Sequence, residues 1–371
     1  MKVRQALIAA ALVVATPAVA AGPPRVTARA YLVENAATGA VLASSHARER
    51  VPIASITKLM TVLVALEHAK PDEVVTVSAD AARTGEESIS LQAGERHTVR
   101  DLVKAALIQS ANDAAVALGD YVGGTQARFV ALMNEKAREL GLRDTHFANP
   151  DGLDAPGHYS SAYDVTRLAR IAMRNPLIRA TVREPEDVAA GRTLHTWNDL
   201  LSTFPGVFGV KTGHTGAAGW SEVAAARGPY ATVYATLLGG ATRSGRNADL
   251  AALLAWGLSR YRQLPVISRT RVYATADVPY GRPALTLKAR SAAVEVLRVD
   301  RQLRERVVAP SAVSLPVEKG EPLGRVEVWA GRRLIVSRPL VATRAIARPD
   351  WLGRSEWYAG RAVHAFAGWF S

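Results

Sequence analysis

The sequence predicts an α+β fold, in which an early hairpin and a group of late strands enclose a helix-rich middle, with a small β-sandwich after it. Three observations predict it. Apolar residues recur at helical spacing from Ile53 to about Ile171, runs of β-branched and alternating residues flank that stretch, and helical periodicity stops after Leu264-Pro265. At 371 residues, 49% hydrophobic and 21% charged, the chain is long enough for two domains with sizeable cores.

The first element is a leader. Lys2 and Arg4 precede an apolar run from Ala6 to Ala15 and the small-residue pattern Ala18-Val19-Ala20, the order found in a secretory signal peptide over residues 1–21. A spanning anchor would need roughly 20 apolar residues, and Pro17 interrupts sooner. Residues 22–263 form the main domain. Val26 to Val33 reads as a strand, Ala37-Thr38-Gly39 as a turn and Val41 to Ala43 as the partner strand. A helix starts near Ser55, and Val74 to Val77 is a short strand. Thr98 with Asp101 resembles a capping box and opens a helix through Leu107. A second helix follows Gln109-Ser110-Ala111-Asn112-Asp113, a third runs from Thr125 to about Leu140, and Ser161 with Asp164 caps a fourth. Phe208 to Thr215, Trp220 to Ala225 and Ala231 to Leu238 are late strands; a loop with Arg243 and Arg246 leads to a helix from about Asn247 to Arg260.

Within this frame three short patterns carry chemistry. In Ala54-Ser55-Ile56-Thr57-Lys58, Ser55 sits at a helix start, where a helix-capping hydroxyl is one reading. Lys58 argues for another, because a cation in the first turn opposes the helix dipole. Positions i and i+3 share a face, so the Lys58 amine reaches the Ser55 hydroxyl. An amine held among apolar neighbours loses basicity and can accept a proton, which makes Ser55 a candidate nucleophile. Ser110 and Asn112, between two helices, are either ordinary caps or a hydroxyl and an amide projecting into one cleft. Lys211-Thr212-Gly213-His214 enters a run of small residues in which Gly213 and Gly216 leave room for another backbone or a ligand. A solvated strand end is the plain alternative.

The order Ser55-x-x-Lys58, Ser110-x-Asn112, Lys211-Thr212-Gly213 resembles the motif set of penicillin-binding proteins and class A β-lactamases. The chain is similar over nearly its whole length to the low-molecular-weight penicillin-binding proteins, the serine-type D-alanyl-D-alanine carboxypeptidases. Asn35 to Leu42, Ile53 to Thr61, Gln109 to Ala114, Asn149-Pro150-Asp151-Gly152-Leu153 and Val210 to Thr215 carry the likeness. It implies a transpeptidase-like domain, an antiparallel sheet with helices on both faces and a helical subdomain. It also implies Ser55 as the acylated nucleophile, Lys58 as its base, Ser110 assisted by Lys211 as the proton relay to the leaving amine, and Asn112 as the holder of the acyl residue's amide. Thr212 and Arg246 would bind the substrate's terminal carboxylate, and the backbone N–H groups of Ser55 and His214, next to Gly213, would form the oxyanion hole. No cofactor and no metal is called for. Two departures stand out: Ala111 where relatives often have Gly or Asp, and Asp199 where a basic residue is expected.

After Leu264-Pro265, the runs Leu285-Thr286-Leu287, Val294-Glu295-Val296, Val326-Glu327-Val328 and Leu334-Ile335-Val336 suggest a small β-sandwich over residues 264–348. Over 349–371, Trp351, Leu352, Tyr358, Ala362, Val363, Phe366, Trp369 and Phe370 cluster on one helical arc with Arg354, Arg361 and His364 off it, a pattern suited to lying in a membrane interface. Packing on its own domain is the alternative.

Net charge is +13, which points to anionic surfaces; with no aromatic-interleaved basic patch or nucleic-acid motif, nucleic acid is the weakest of these. The absence of cysteine excludes disulfides, thiolate metal sites and cysteine nucleophiles. The expected protein is an exported D,D-carboxypeptidase at the periplasmic face of the inner membrane. It trims peptidoglycan stem peptides, and β-lactam antibiotics inhibit it covalently. Rivals are a D,D-endopeptidase, a β-lactamase, which would need a deacylating glutamate such as Glu184 or Glu186, and a non-catalytic penicillin-binding scaffold.

Overall fold

A computed structural model describes residues 22–352, Ser355 and Trp357. The expected leader over residues 1–21 and most of the C-terminal segment singled out above lie outside the described residues. Two compact units divide the chain, one through Ser259 and one from Arg260 onward.

In the first unit, β1 (Ala30–Asn35) and β2 (Val41–Ser45) form a hairpin, followed by α1 (Lys58–His68). The small strands β3 (Val74–Thr76) and β4 (Arg96–Thr98) flank a single turn, α2 (Ala79–Ala82). The helices α3 (Val99–Lys104), α4 (Asn112–Gly123), α5 (Gln126–Glu139), α6 (Ala162–Ala172) and α7 (Pro176–Thr181) build the middle. A two-stranded ribbon, β5 (Glu186–Ala189) and β6 (Arg192–His195), and a turn, α8 (Leu200–Thr203), lead to β7 (Val207–Thr215), β8 (Gly219–Arg227), β9 (Thr232–Gly240) and α9 (Arg243–Ser259).

The caps read from sequence hold these helices. Thr98 and Asp101 make a reciprocal capping box, Thr125 Oγ1 accepts from Arg128 N–H, and Ser161 Oγ accepts from Asp164 N–H. Gly39, at φ 70°, closes the first hairpin, whose turn is tied by Asn35 Oδ1 accepting from Ala37 and Thr38 N–H. One expectation changes: Arg243 and Arg246 are not in a loop but in the first turns of α9. Two cations at a helix N-terminus argue against a helix; Asp199, which bonds Arg243, supplies the compensating charge.

The main sheet is antiparallel in the order β2-β1-β9-β8-β7. Its centre is buried on both faces, which explains why β1 opens with four apolar residues in a row, Ala30 to Val33, instead of alternating. Ala30 and Leu32 join the core that also takes in α1, α4 and α6, with α6 packed against this face of the sheet, while Tyr31 and Val33 join the core with Leu250, Leu253 and Leu254 of α9. β7 forms one edge of the sheet, so its free side is available to a cleft.

The second unit is all β. It comprises β10 (Tyr261–Ile267), β11 (Val272–Val278), β12 (Arg282–Ala289), β13 (Ala293–Arg298), β14 (Leu303–Val308), β15 (Pro322–Ala330) and β16 (Arg333–Ala342). A five-stranded sheet β11-β12-β16-β15-β14 and a two-stranded sheet β10-β13 share one core, including Ile267, Leu297, Leu285, Val326 and Leu340. Leu264-Pro265 lies inside β10.

Candidate active site

Ser55 occupies one turn of 3-10 helix, Ala54–Thr57, that runs straight into α1. It is not a cap: the N-cap position is Ile53 and no side-chain cap bond forms. Its hydroxyl instead accepts a hydrogen bond from Lys58 Nζ at 2.7 Å. Lys58 also donates to Asn112 Oδ1 and to Asp151 O, each at 2.6 Å, so its three N–H groups all have partners. The segment that offers Asp151 O presses hard on the serine turn: a Cβ on Gly152, which has φ +92°, would fall 2.1 Å from Ala54 O. Lys58 is fully buried, and burial lowers its pKa to about 8; the carboxylates of Asp151, Glu87, Asp113 and Glu86 pull the other way.

Ser110 ends a π-turn, Ala105–Gln109, in left-handed backbone at φ 68°. There its Oγ accepts from Lys211 Nζ at 2.9 Å. Asn112 is the first residue of α4, and its amide orientation is set by Nδ2 donating to Gly85 O. Below it, the Asp113 carboxylate accepts from the N–H groups of Ile89 and Leu91 and ties that loop down. Lys211, 2% exposed, has its pKa driven well below the usual amine range by burial first and by the Lys58 charge second.

Gly213 lets β7 lie against the Ser55 turn, since a Cβ there would sit 2.8 Å from Ile53 O and 3.1 Å from Ser55 N. Gly216 does not share this role, because a Cβ there would meet nothing within 4 Å. His214 is exposed and its imidazole stacks on Trp220 with centroids 4.1 Å apart.

Arg246, 1% exposed, is among the residues that line the cleft. Its Nε is 3.1 Å from Glu222 Oε2, and its guanidinium donates to Asn247 Oδ1 at 2.6 Å and to Asp199 Oδ2 at 3.5 Å. Asp199 is itself held by Arg243 through a two-point contact of 2.8 and 2.5 Å. The acid at a position where a base was expected is thus neutralised by Arg243, which lies over the Trp197 ring. Glu222 is fully buried; its pKa is raised to about 7 by burial, with Arg246 opposing.

These groups converge on a cavity of ≈ 210 Å³ lined by Ser55, Ser110, Thr212, Gly213, His214 and Arg246, together with Glu86, Glu87, Trp197 and Trp220. Lys58, Asn112 and Lys211 lie behind that lining. Sequence reasoning missed Glu86, Glu87, Trp197, Trp220 and Glu222; for Glu222 a signal existed, an acid within the otherwise small and apolar Val223-Ala224-Ala225-Ala226 strand context. Glu184 and Glu186 are exposed and do not line the cleft. Among the described residues no group of His, Cys, Asp and Glu could hold a metal ion.

A family model described as D-alanyl-D-alanine carboxypeptidase, peptidase S11, matches residues 17–242. The chain belongs to the peptidase S11 family. Among S11 relatives, D-alanyl-D-alanine carboxypeptidase DacF of Bacillus subtilis is 33% identical over 329 residues, covering 85% of each chain. DacC of Escherichia coli is 32% identical over 366 residues, 94% of this chain and 92% of the relative. Penicillin-binding protein 6B from Escherichia coli superimposes with a TM-score of 0.66 at 29% identity, over 87% of this S11 chain and 97% of its own. The Streptomyces K15 DD-transpeptidase matches 64% of this chain and 100% of its own, with a TM-score of 0.61.

Proposed function

We propose that Ser55 attacks the last peptide bond of D-Ala-D-Ala-terminated stem peptides of peptidoglycan, through an acyl-enzyme that β-lactams also form. The observation that carries this reading is the hydrogen bond of Lys58 Nζ to Ser55 Oγ at 2.7 Å, made by an amine whose pKa is lowered to about 8. At pH 7 roughly one such amine in ten is neutral and able to take the Ser55 proton. Oγ bonds to the carbonyl carbon, the C–N bond breaks, and the departing D-Ala nitrogen receives a proton through Ser110, whose hydroxyl is bonded by Lys211. Water then cleaves the ester and restores the Ser55 hydroxyl. Asn112 holds the acyl residue's amide, and Thr212 and Arg246 hold the free carboxylate. The N–H groups of Ser55 and His214 stabilise the oxyanion, a role supported by the close approach that Gly213 permits.

In this reading the protein is exported, and residues 349–371 attach it to the periplasmic face of the inner membrane as an interfacial helix. Among the described residues no helix is long and apolar enough to cross a membrane. The test of the nucleophile is Ser55→Ala, which should abolish fluorescent-penicillin labelling and D-Ala release from a pentapeptide together. Persistence of both would reject Ser55.

A further inference from the structure

The charge of this chain is unevenly divided. Residues 22–259 carry 24 Lys and Arg against 24 Asp and Glu, net zero, whereas residues 260–348 carry 18 against 7, net +11. Sixteen of those 18 cations are arginine, the side chain whose planar fork matches carboxylates. A fold gains nothing from such an excess, which repels itself unless an outside anion meets it.

Much of the excess collects at one place in the β unit. Leu303 and Val307 of β14 point into the core, so Arg304 and Arg306 between and beside them stand on the outer face. There Arg304 pairs across the ladder with Trp329 and Arg306 with Glu327. Glu327 is shared by Arg325 at 2.6 Å and Arg306 at 3.9 Å, and it accepts from Trp329 Nε1 at 3.1 Å, which fixes the indole among the guanidinium groups. The turn joining β15 to β16 adds the exposed Arg332 at the end of the sheet where β14 begins, while Arg333, opposite Ala330, leaves on the core side. Among the described residues no carboxylate lies within the 4.0 Å ion-pair distance of Arg304 or Arg332.

We propose that this outer face of β14 and β15, with the adjoining β15–β16 turn, docks a carboxylate-bearing glycan polymer. The identity of that polymer as the substrate-bearing cell wall rests on the carboxypeptidase reading above. A stem peptide of the proposed substrate ends in a free acid, and a glycan carrying many of them is a polyanion whose sugar rings offer apolar faces to a fixed indole. Position favours the polymer over a lipid surface. The arginine-rich end is where β14 begins and β15 ends, whereas the chain leaves the unit from the opposite end, where Ile346 pairs with Val317 and Arg282 donates to Ala347 O. A membrane held by the terminal segment would meet that opposite end.

The test is co-sedimentation of full-chain protein with purified, lipid-free insoluble peptidoglycan, run beside phosphatidylglycerol vesicles, for wild type and for Arg304→Glu/Arg306→Glu/Arg332→Glu. Wild type should pellet with the polymer at about 0.05 M salt and be released at about 0.5 M. The triple variant should bind the polymer roughly tenfold more weakly, with D-Ala release from a soluble pentapeptide unchanged. Polymer binding equal to wild type, or a loss confined to vesicles, overturns the proposal. If the triple variant loses soluble-peptide activity through misfolding, Arg304→Gln/Arg332→Gln and the wild-type salt titration decide, and salt-insensitive pelleting overturns it. A wild type that pellets in a salt-dependent way but cleaves no pentapeptide would instead sink the activity reading and leave the docking surface standing.

Discussion

The Glu222 carboxylate lies 3.1 Å from Arg246 Nε, and both side chains are buried, at 0% and 1% exposure. Glu222 stands opposite Thr212 in the β7–β8 ladder, so a titrating acid sits directly behind the proposed carboxylate-binding corner. Its pKa of about 7 means that Arg246 faces a neutral acid below that pH and an anion above it, alongside Asp199, Lys211 and Arg243.

KM for a carboxylate-terminated substrate is therefore expected to rise as pH passes from 6 to 8, while Glu222→Gln flattens the profile and lowers KM at pH 8 roughly fivefold. Stability moves with the same group. The folded state holds a proton that the unfolded chain has lost between the ordinary glutamate value of 4.5 and about 7, so this acid makes the fold less stable as pH rises through that window. Denaturant midpoints of Glu222→Gln should lack that decline, and an unaltered KM profile would remove Glu222 from the account.

For Lys58 the sign is opposite. kcat/KM should climb with pH and level off above about 8 as the amine loses its proton, and Lys58→Arg, which cannot become neutral, should lose on the order of a thousandfold or more. Because the amine's pKa falls from 10.5 to about 8 on folding, the unfolded chain alone binds that proton between those values, and stability should increase over the same range. A pH-independent acylation rate between 6 and 9 would contradict the assignment.

Gly152→Ala is predicted to be severe. Its Cβ would stand 2.1 Å from Ala54 O at a backbone angle of φ +92°, so the serine turn must move or the substitution must cost about 3 kcal/mol or more. Loss of penicillin labelling with only partial loss of thermal stability is the expected result. Gly216→Ala, with open space around it, serves as the control.

Deleting residues 350–371 should shift the protein from the membrane to the soluble fraction while D-Ala release from soluble pentapeptide persists. Unchanged fractionation would count against an interfacial helix.

What could be read beforehand was what depends on local spacing. Ser55 and Lys58 are one helical turn apart, so their contact follows from helix geometry alone. The capping residues Thr98, Thr125 and Ser161 announce their helices because each answers a backbone need within three residues. Ser110 and Asn112 form a local pair, but that pair lies too far along the chain from Lys58 and from Lys211 for spacing to unite them, and only their likeness to a known motif set did so. Glu222 escaped, and Asp199 stood out without its role being legible, because the meaning of each acid depends on a partner far along the chain, Arg246 for one and Arg243 for the other. The same non-local pairing hid the start of α9, whose arginines look wrong for a helix until Asp199 is in place. Glu86 and Glu87 gave no pattern at all; the fold alone brings them to the cleft.

Both amines of the cleft are submerged, Lys58 at 0% and Lys211 at 2% exposure, while Ser55 and Ser110 line the cavity and bring their hydroxyls to them. A visiting molecule consequently meets alcohols and never a bare ammonium. Acylating drugs designed for this cleft have an alcohol as their target, and aldehydes or activated esters that hunt for lysine will find it only on the outer surface while the fold is intact.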